Sequence, residues 1–170
     1  SGQLFIDCTG AKSLLLGEHL QVPFLCQKSV LFNDRALAIQ VPYPDANSPI
    51  ASCTHSTAQS NGWIWDIGLP TRKGVGYVYS SSHTNDIDAQ QTLFNYLGVD
   101  GAAADKLEPR QLTINPGYRA KCWQNNCIAI GMAAGFIEPL EASALALIEW
   151  TASTLAQQLP PNRMVMDTIA

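Results

Sequence analysis

The segment from Asn126 to Leu159 constrains the fold more than any other part of the sequence. Cys127–Ile130 is a short apolar run that predicts a buried strand, and small residues follow it at Gly131–Phe136. Pro139 suits the first position of a helix, where its missing N–H is not needed, and the helix is predicted to end before Pro160-Pro161. The apolar residues at helical spacing are Leu145, Ile148, Ala152, Leu155 and Leu159.

A second apolar run, Leu4-Phe5-Ile6, stands near the start of the chain. It ends in the polar turn Asp7-Cys8-Thr9-Gly10 and predicts a buried strand. Ser13–Leu16 predicts one helical turn before Gly17. A strand that begins so abruptly is expected to pair with strands later in this chain or in a part of the protein outside it.

The middle of the chain predicts an antiparallel sheet. Apolar residues alternate over Val30–Tyr43 as in a half-buried strand, and Ala51–Gln59 is a further candidate strand. Asp66–Tyr79 predicts an antiparallel hairpin with a long loop closed by Gly74-Val75-Gly76. In the strand that enters this hairpin, one face carries Trp63, Trp65 and Ile67, and the other carries Ile64 and Asp66.

One helix is predicted within the same region. Thr84-Asn85-Asp86 offers side chains that can cap its first turn, and Gly98 can end it. Ile87, Phe94 and Leu97 fall on one predicted face of this helix. Leu112–Ala120 is a later candidate strand, so the whole pattern predicts an α+β fold.

Charge and composition argue against several classes of function. The formal net charge is −4 and no dense run of Lys or Arg occurs, so a nucleic-acid or anionic-membrane surface is not expected. No apolar run is long enough to span a bilayer, and Ser1-Gly2-Gln3 lacks the features of a secretory signal. The five cysteines predict reduced thiols in the cytoplasm, and the scattered histidines argue against a metal site.

Four stretches of the chain form a set. The two specific ones are Trp-x-Trp-x-Ile at Trp63–Ile67 and Gly-Phe-x-Glu-Pro-Leu-Glu at Gly135–Glu141, and the others are Phe5–Gly10 and Gly76–Ser81. Their order and spacing resemble the flavin-dependent tryptophan halogenases over nearly the whole chain. The resemblance implies part of an FAD-binding fold, Rossmann-like and of the glutathione-reductase type, with an antiparallel sheet as the substrate region.

The resemblance also implies a division of the chain and a reaction. Residues 1–20 would belong to the FAD-binding domain, 21–120 to the antiparallel sheet region with one helix, and 121–170 to a returning FAD-binding segment and long helix. A separate flavin reductase would supply FADH2, and the protein would use O2 and chloride or bromide to halogenate tryptophan, indole or another aromatic compound. A homodimer is one assembly open to it, and no metal is implied.

Site residues follow from the same resemblance. Glu141 corresponds to the catalytic glutamate, and a halide would bind near Ser143 and Ala144 at the helix start. Trp63 and Trp65 would shield the flavin side from substrate. The residues implied in cofactor binding are Asp7, Gly10, Gly131, Ala134, Gly135, Phe136 and Pro139. The sequence departs from the family pattern at Gly68, which replaces a proline, at Ala142, which replaces a serine, and at Ala11, which replaces an aromatic residue.

Each of these stretches also has an ordinary structural explanation on its residues alone. Glu138 and Glu141 would be favoured near a helix N-terminus, Gly131–Phe136 would allow tight strand–helix packing, and the two tryptophans would form a core pair. Two other functions therefore stay open: a related flavin monooxygenase or oxidoreductase, and a non-catalytic binding module.

The isolated chain is predicted to be inactive. It contains no Gly-x-Gly-x-x-Gly turn for a pyrophosphate, and none of its lysines stands in the context of the family's catalytic lysine. We therefore interpret it as an internal fragment that binds FAD weakly or not at all. Tight, stoichiometric binding of FAD to the 170-residue chain would contradict this.

Overall fold

A computed structural model describes residues 2–45, 47–104, 106–140 and 142–159. The chain divides into two compact units: residues 1–31 with 115–170, and residues 32–114. From the sequence, the corresponding boundaries are expected after residue 20 and after residue 120, whereas the structure places them after residue 31 and after residue 114.

The elements are β1 (Phe5–Asp7), β2 (Phe24–Cys26), β3 (Arg35–Pro42), β4 (His55–Gln59), β5 (Gly62–Gly68), β6 (Arg72–Tyr79), α1 (Asp86–Leu97), α2 (Gly101–Ala104), β7 (Arg110–Thr113), β8 (Gly117–Arg119), β9 (Trp123–Gln124), β10 (Cys127–Ala129), β11 (Gly135–Phe136) and α3 (Ser143–Gln157).

The discontinuous unit contains two three-stranded sheets. In one, β1 pairs in parallel with β10, which pairs antiparallel with β9; in the other, β8 lies between β11 and β2, with all pairs antiparallel. β1 and β10 are the strands expected from their apolar runs. However, Phe5 and Ile6 are 41% and 47% exposed, so the prediction of a buried β1 is wrong for its first two residues. Within the described residues, β1 lies at the edge of its sheet and pairs with β10 alone, which leaves these two side chains open to solvent.

Helix α3 begins later than the sequence predicts. Its first residue is Ser143 rather than Pro139, because Pro139 belongs to a turn in which the N–H of Ala142 donates to the carbonyl of Pro139 at 3.0 Å. The helix ends at Gln157, before the prolines, as expected. Leu155 is buried and Ile148 packs beside it, but Leu145 is 78% exposed and does not belong to the buried face predicted for it. Ala152 and Leu159 are exposed as well.

The continuous unit is a five-stranded antiparallel sheet covered by α1. The strand order is β4-β5-β6-β3-β7, and the core between sheet and helix includes Leu37, Ile64, Tyr77 and Leu93. The middle of the chain thus has the antiparallel sheet that the sequence predicts, and beside α1 it contains a second short helix, α2, where only one helix was expected. β3 begins at Arg35 and β4 at His55, so both strands are shorter than the extended runs suggested.

The hairpin of β5 and β6 is tighter than predicted. Only Leu69–Thr71 separate the two strands, and Gly74 and Gly76 lie within β6 instead of in a loop. A Cβ atom added at Gly76 would lie 2.1 Å from the ring of Trp65, so glycine is needed there for close packing and not for a turn. The expectation of a long loop is therefore wrong.

The ends of α1 follow the sequence signals. The side chain of Asn85 accepts a hydrogen bond from the N–H of Asp88 at 2.9 Å, and Gly98 ends the helix with φ of 67°. Phe94 is buried as predicted, but Ile87 is 81% exposed. The buried face is instead set by Ala89 and Leu93, since Ile87 lies in the first turn, outside the stripe that faces the sheet.

A polar cluster ties the start of α1 to the sheet. The carboxylate of Asp86 accepts hydrogen bonds from Arg35 at 2.7 Å, from the Tyr79 hydroxyl at 2.8 Å and from Gln111 at 2.6 Å. Tyr79 is fully buried. Its burial, and then its hydrogen bond to Asp86, raise the pKa of Tyr79 from 10.0 to about 12.

We expect this cluster to make the protein lose stability at alkaline pH. Because the pKa of Tyr79 is higher in the folded state, its contribution is fully present below pH 10.0 and falls as the pH rises to about 12. Denaturant unfolding of the full-length protein across this range should show the loss, and Tyr79→Phe should reduce it. If the Tyr79→Phe variant lost as much stability at alkaline pH as the unchanged protein, another titrating group would be the cause.

Candidate active site

The parallel pairing of β1 with β10 brings together two of the predicted cofactor stretches. The N–H of Ile130 donates to the carbonyl of Asp7 at 3.0 Å, which aligns the carboxyl ends of the two strands. Each strand is followed by a glycine in the left-handed region, Gly10 with φ of 69° and Gly131 with φ of 64°. Ligands of α/β folds commonly bind beyond the carboxyl ends of parallel strands, so this edge is the natural place for a site.

The carboxylate of Asp7 holds the first of these turns in place. One oxygen accepts from the N–H and hydroxyl of Thr9 at 3.1 and 2.5 Å, and the other accepts from the N–H groups of Leu15 and Leu16 at 3.0 and 2.8 Å. Burial raises the pKa of Asp7, but the hydrogen bonds together outweigh burial and leave the pKa below its ordinary value. Asp7 is fully buried, and any cofactor contact of this stretch would come from its backbone or from Gly10.

A cleft of about 670 Å³ gathers most of the other predicted residues. Its volume is in the range usual for small-molecule sites. One side is formed by the segment after β10, and the other by the start of α3 and the segment from β8 to β9. The predicted site residues that line it are Gly131, Ala134, Gly135, Phe136, Ser143 and Ala144.

Small residues bring backbone close to the surface of this cleft. A Cβ atom at Gly135 would lie 2.6 Å from the carbonyl oxygen of Gly117 and 2.8 Å from Cα of Tyr118, so only glycine allows β11 to pair with β8. Ala129 and Ala134 add further short side chains to the wall. A flat aromatic ring system such as the isoalloxazine of FAD fits a cleft with walls of this kind.

The start of α3 contributes backbone N–H groups to the same cleft. Ala142 precedes the helix with φ of 50° and provides no side-chain hydrogen bond to its first turn. The first N–H groups of an α-helix have no partner within the helix, and they attract anions. The predicted halide residues Ser143 and Ala144 are thus in the first turn of α3 and line the cleft.

Other predicted residues lie elsewhere or outside the described part. Pro139 is in the turn before α3 and does not line the cleft. Asp7 and Gly10, at the end of β1 and in the turn after it, do not line the cleft either. Glu141, the predicted catalytic carboxylate, lies outside the described residues. The roles given to these residues stay predictions.

Trp63 and Trp65 belong to the other unit and form a ring pair on β5. Their ring centroids are 6.1 Å apart with planes at 59°, and both side chains are only half-buried. They are therefore not a buried core pair; Ile64 and Asp66 on the opposite face of β5 are buried instead. A half-exposed indole pair is available for a shielding role, which stays a prediction.

Sequence reasoning missed one wall of the cleft. Tyr118, Arg119, Lys121 and Trp123 line it because β8 pairs with β11, a contact between segments that no local pattern indicates. Arg119 is held by a hydrogen bond to the carbonyl of Val22 at 3.0 Å, and its guanidinium lies 5.4 Å from the centre of the Phe24 ring. The guanidinium of Arg119 is therefore directed to Val22 and Phe24, which do not line the cleft, whereas Lys121 and Glu138 are lining residues.

Comparisons with known proteins decide the family. The family model described as tryptophan halogenase matches residues 1–169. The chain belongs to the tryptophan halogenase family. A curated member, the 7-chloro-L-tryptophan 6-halogenase KtzR of Kutzneria sp. (strain 744), is 40% identical over 159 residues, which are 94% of this chain and 30% of that protein.

Solved structures give the same result for this halogenase-family chain. A tryptophan halogenase from Shewanella frigidimarina NCIMB 400 matches it with a TM-score of 0.97 and 97% identity, over 99% of this chain and 32% of that one. BrvH, a flavin-dependent halogenase from Brevundimonas sp. BAL3, matches with a TM-score of 0.86 and 38% identity, over 99% and 33%. The chain thus has part of the α+β FAD-binding fold of flavin-dependent halogenases and spans about 30% of the length of the curated relative, which agrees with the interpretation as a fragment.

Among the described residues, no cluster of three or more His, Cys, Asp or Glu side chains is arranged to hold a metal ion. No helix in the described ranges combines the length and apolar content needed to cross a bilayer.

Proposed function

We propose that this chain is part of an FAD-dependent halogenase that modifies tryptophan, indole or another aromatic compound. The observation that carries the proposal is the cleft in which the small-residue segment Gly131–Phe136 meets the start of α3 at Ser143. When bound, FADH2 would supply two electrons and the halide the other two for the four-electron reduction of O2, so that the halide is oxidised. A separate flavin reductase would deliver the FADH2.

The residues of the chain would have distinct tasks in this reaction. Gly131, Ala134, Gly135 and Phe136 would contact the flavin, with Asp7, Gly10 and Pro139 fixing the adjoining turns. The first N–H groups of α3, near Ser143 and Ala144, would hold chloride or bromide, a placement that the helix dipole favours by about 0.3–1 kcal/mol. Glu141 would accept a proton or stabilise positive charge on the substrate during halogenation. Trp63 and Trp65 would keep the substrate away from the flavin.

The location and assembly of the protein belong to the same proposal. Cys8, Cys26, Cys53 and Cys122 are exposed and unpaired as disulfides in the described structure. Exposed thiols of this kind are typical of a reducing compartment, which supports a cytoplasmic protein. A homodimer is compatible with the fold but is not required by the cleft.

An assay of the full-length protein tests this function. With a flavin reductase, FAD, O2, sodium chloride or bromide and L-tryptophan or indole, mass spectrometry should detect a halogenated product that depends on the halide. Glu141→Gln should lower turnover at least about 100-fold, as expected for loss of a general acid–base group, while FAD binding is retained. Glu149→Gln removes an exposed carboxylate from α3 and should leave turnover unchanged.

The outcomes separate the proposed function from its rivals. A hydroxylated product, formed equally with and without halide, would indicate a flavin monooxygenase. No FAD binding by the full-length protein would indicate a non-catalytic binding module. Full turnover in Glu141→Gln would contradict the role given to that residue, but not the halogenase function.

A further inference from the structure

A polar cavity of about 440 Å³ lies within the unit formed by residues 32–114. It is bordered by the turn between β4 and β5, by the segment after β6 and by one face of α1. Its lining consists of three carboxamides, three aliphatic hydroxyl groups, one imidazole, one carboxylate and two tyrosines, with no Lys or Arg. The cavity is separate from the cleft proposed for the flavin, which belongs to the other unit.

The turn between β4 and β5 presents its side chains from a fixed backbone. The carbonyl of Asn61 accepts a hydrogen bond from the N–H of Ser80 at 3.1 Å, and the backbone of Asn61 is also hydrogen-bonded to the hydroxyl of Tyr77, which is fully buried. Among the described residues, the side chains of Gln59, Ser60 and Asn61 make no hydrogen bond. Two carboxamides and a hydroxyl therefore border the cavity with their hydrogen-bonding capacity available.

The face of α1 opposite this turn is ordered by local hydrogen bonds. The Thr92 hydroxyl donates to the carbonyl of Asp88 at 2.8 Å, and Nδ2 of Asn85 donates to the Asp88 carboxylate at 2.8 Å. Nε2 of Gln91 donates to the side-chain oxygen of Asn95 at 2.8 Å, which fixes this carboxamide and leaves its own N–H groups as donors. Such pre-ordered groups lower the entropy that a ligand loses on binding.

The chemistry of the lining selects one class of ligand. An apolar molecule would leave the carboxamides unpaired and lose their hydrogen bonds to water. An anion would meet the carboxylate of Asp88 with no cationic side chain to balance its charge. A divalent cation needs several oxygen ligands with more negative charge, and no suitable cluster of acidic, His or Cys side chains occurs in the described residues.

We infer that this cavity binds a small neutral polyhydroxylated molecule, of the size of a monosaccharide or cyclitol. Carboxamides can donate to one hydroxyl group and accept from its neighbour, and Gln59, Asn61 and Asn95 place three carboxamides around the cavity. The inference does not depend on the halogenase function, because it rests on a different unit of the chain.

Ligand-observed NMR with the full-length protein tests the inference, with D-glucose and myo-inositol as probes. Saturable binding in the millimolar range is expected, since the rim of the cavity is open and its anchors are neutral. Asn61→Ala and Asn95→Ala should each weaken binding at least tenfold. Gln90→Ala, an exposed change on the same helix that does not line the cavity, should bind as the unchanged protein does.

Three results would overturn the inference. The first is the absence of saturable binding by both probes to a protein whose circular dichroism shows it to be folded. The second is equal binding by the Asn61→Ala, Asn95→Ala and Gln90→Ala variants. The third is a clear preference of the site for inorganic phosphate or a simple primary amine, tested in parallel.

Discussion

Replacing Asp7 by alanine should destabilise the turn after β1 by about 4 kcal/mol, because two backbone N–H groups lose a charged acceptor and each such loss is expensive. The groups are those of Leu15 and Leu16, which donate to the same carboxylate oxygen at 3.0 and 2.8 Å. Hydrogen exchange of these two amides in the full-length protein should become roughly a thousandfold faster, since about 1.4 kcal/mol corresponds to a factor of ten.

A matched variant isolates the effect of the Asp7 carboxylate. Glu18→Ala removes an exposed carboxylate from Leu14–His19, the helical segment that also contains Leu15 and Leu16, and should change the same exchange rates by less than about threefold. Exchange rates in Asp7→Ala that stay within tenfold of the original would contradict a structural role for this group. Because the pKa of Asp7 is lowered by folding, its contribution should be present above pH 3.8 and be lost as the pH falls through the lower, folded-state pKa.

Replacing Gly76 by alanine should destabilise the unit of residues 32–114 by at least about 3 kcal/mol, as an overpacked site with rigid neighbours. The added Cβ would lie 2.1 and 2.2 Å from two carbon atoms of the Trp65 ring and 2.6 Å from the carbonyl oxygen of Leu37. Neither the indole nor the strand backbone of β3 can move away without breaking the register in which Trp65, Gly76 and Ala38 are aligned.

Gly74→Ala is the control for Gly76→Ala. Gly74 is in the same strand, and a Cβ atom there would meet nothing within 4 Å, so its stability should change by less than about 1 kcal/mol. The denaturant midpoint and near-ultraviolet circular dichroism of the two full-length variants provide the comparison. Trp65→Ala should recover part of the loss in Gly76→Ala. Equal stability of the two glycine variants would show that the sheet accommodates the extra methyl group.

Local signals in the sequence were reliable where one residue controls one backbone conformation. Asn85 caps α1 and Gly98 ends it because a side-chain acceptor and a residue tolerant of positive φ are each needed at one position. The same kind of signal failed at Pro139, which is favoured at a helix start but is equally suited to a turn. Ala142 has a positive φ without being glycine or asparagine, so nothing in the sequence marks it as the residue before α3.

Glycine was the residue most easily misinterpreted from sequence. Gly74 and Gly76 have the spacing of a loop, yet both lie within β6, where Gly76 makes room for Trp65. The family resemblance assigns Gly135 to a cofactor contact, but the atoms that leave no room for a side chain there belong to the backbone of β8. A glycine shows that a side chain is absent, but the sequence does not reveal which neighbour occupies the space.

The sequence by itself determined the family, the α+β class and the short motifs, because these depend on residue types at fixed local spacing. Only the tertiary structure decided which of those motifs share a site. The parallel pairing of Asp7 with Ala129 and the pairing of Gly135 with Tyr118 join segments far apart in the chain, and the second of these brings Arg119 and Lys121 to the cleft. Strand register is set by the packing of whole sheet faces, which no local window of sequence contains.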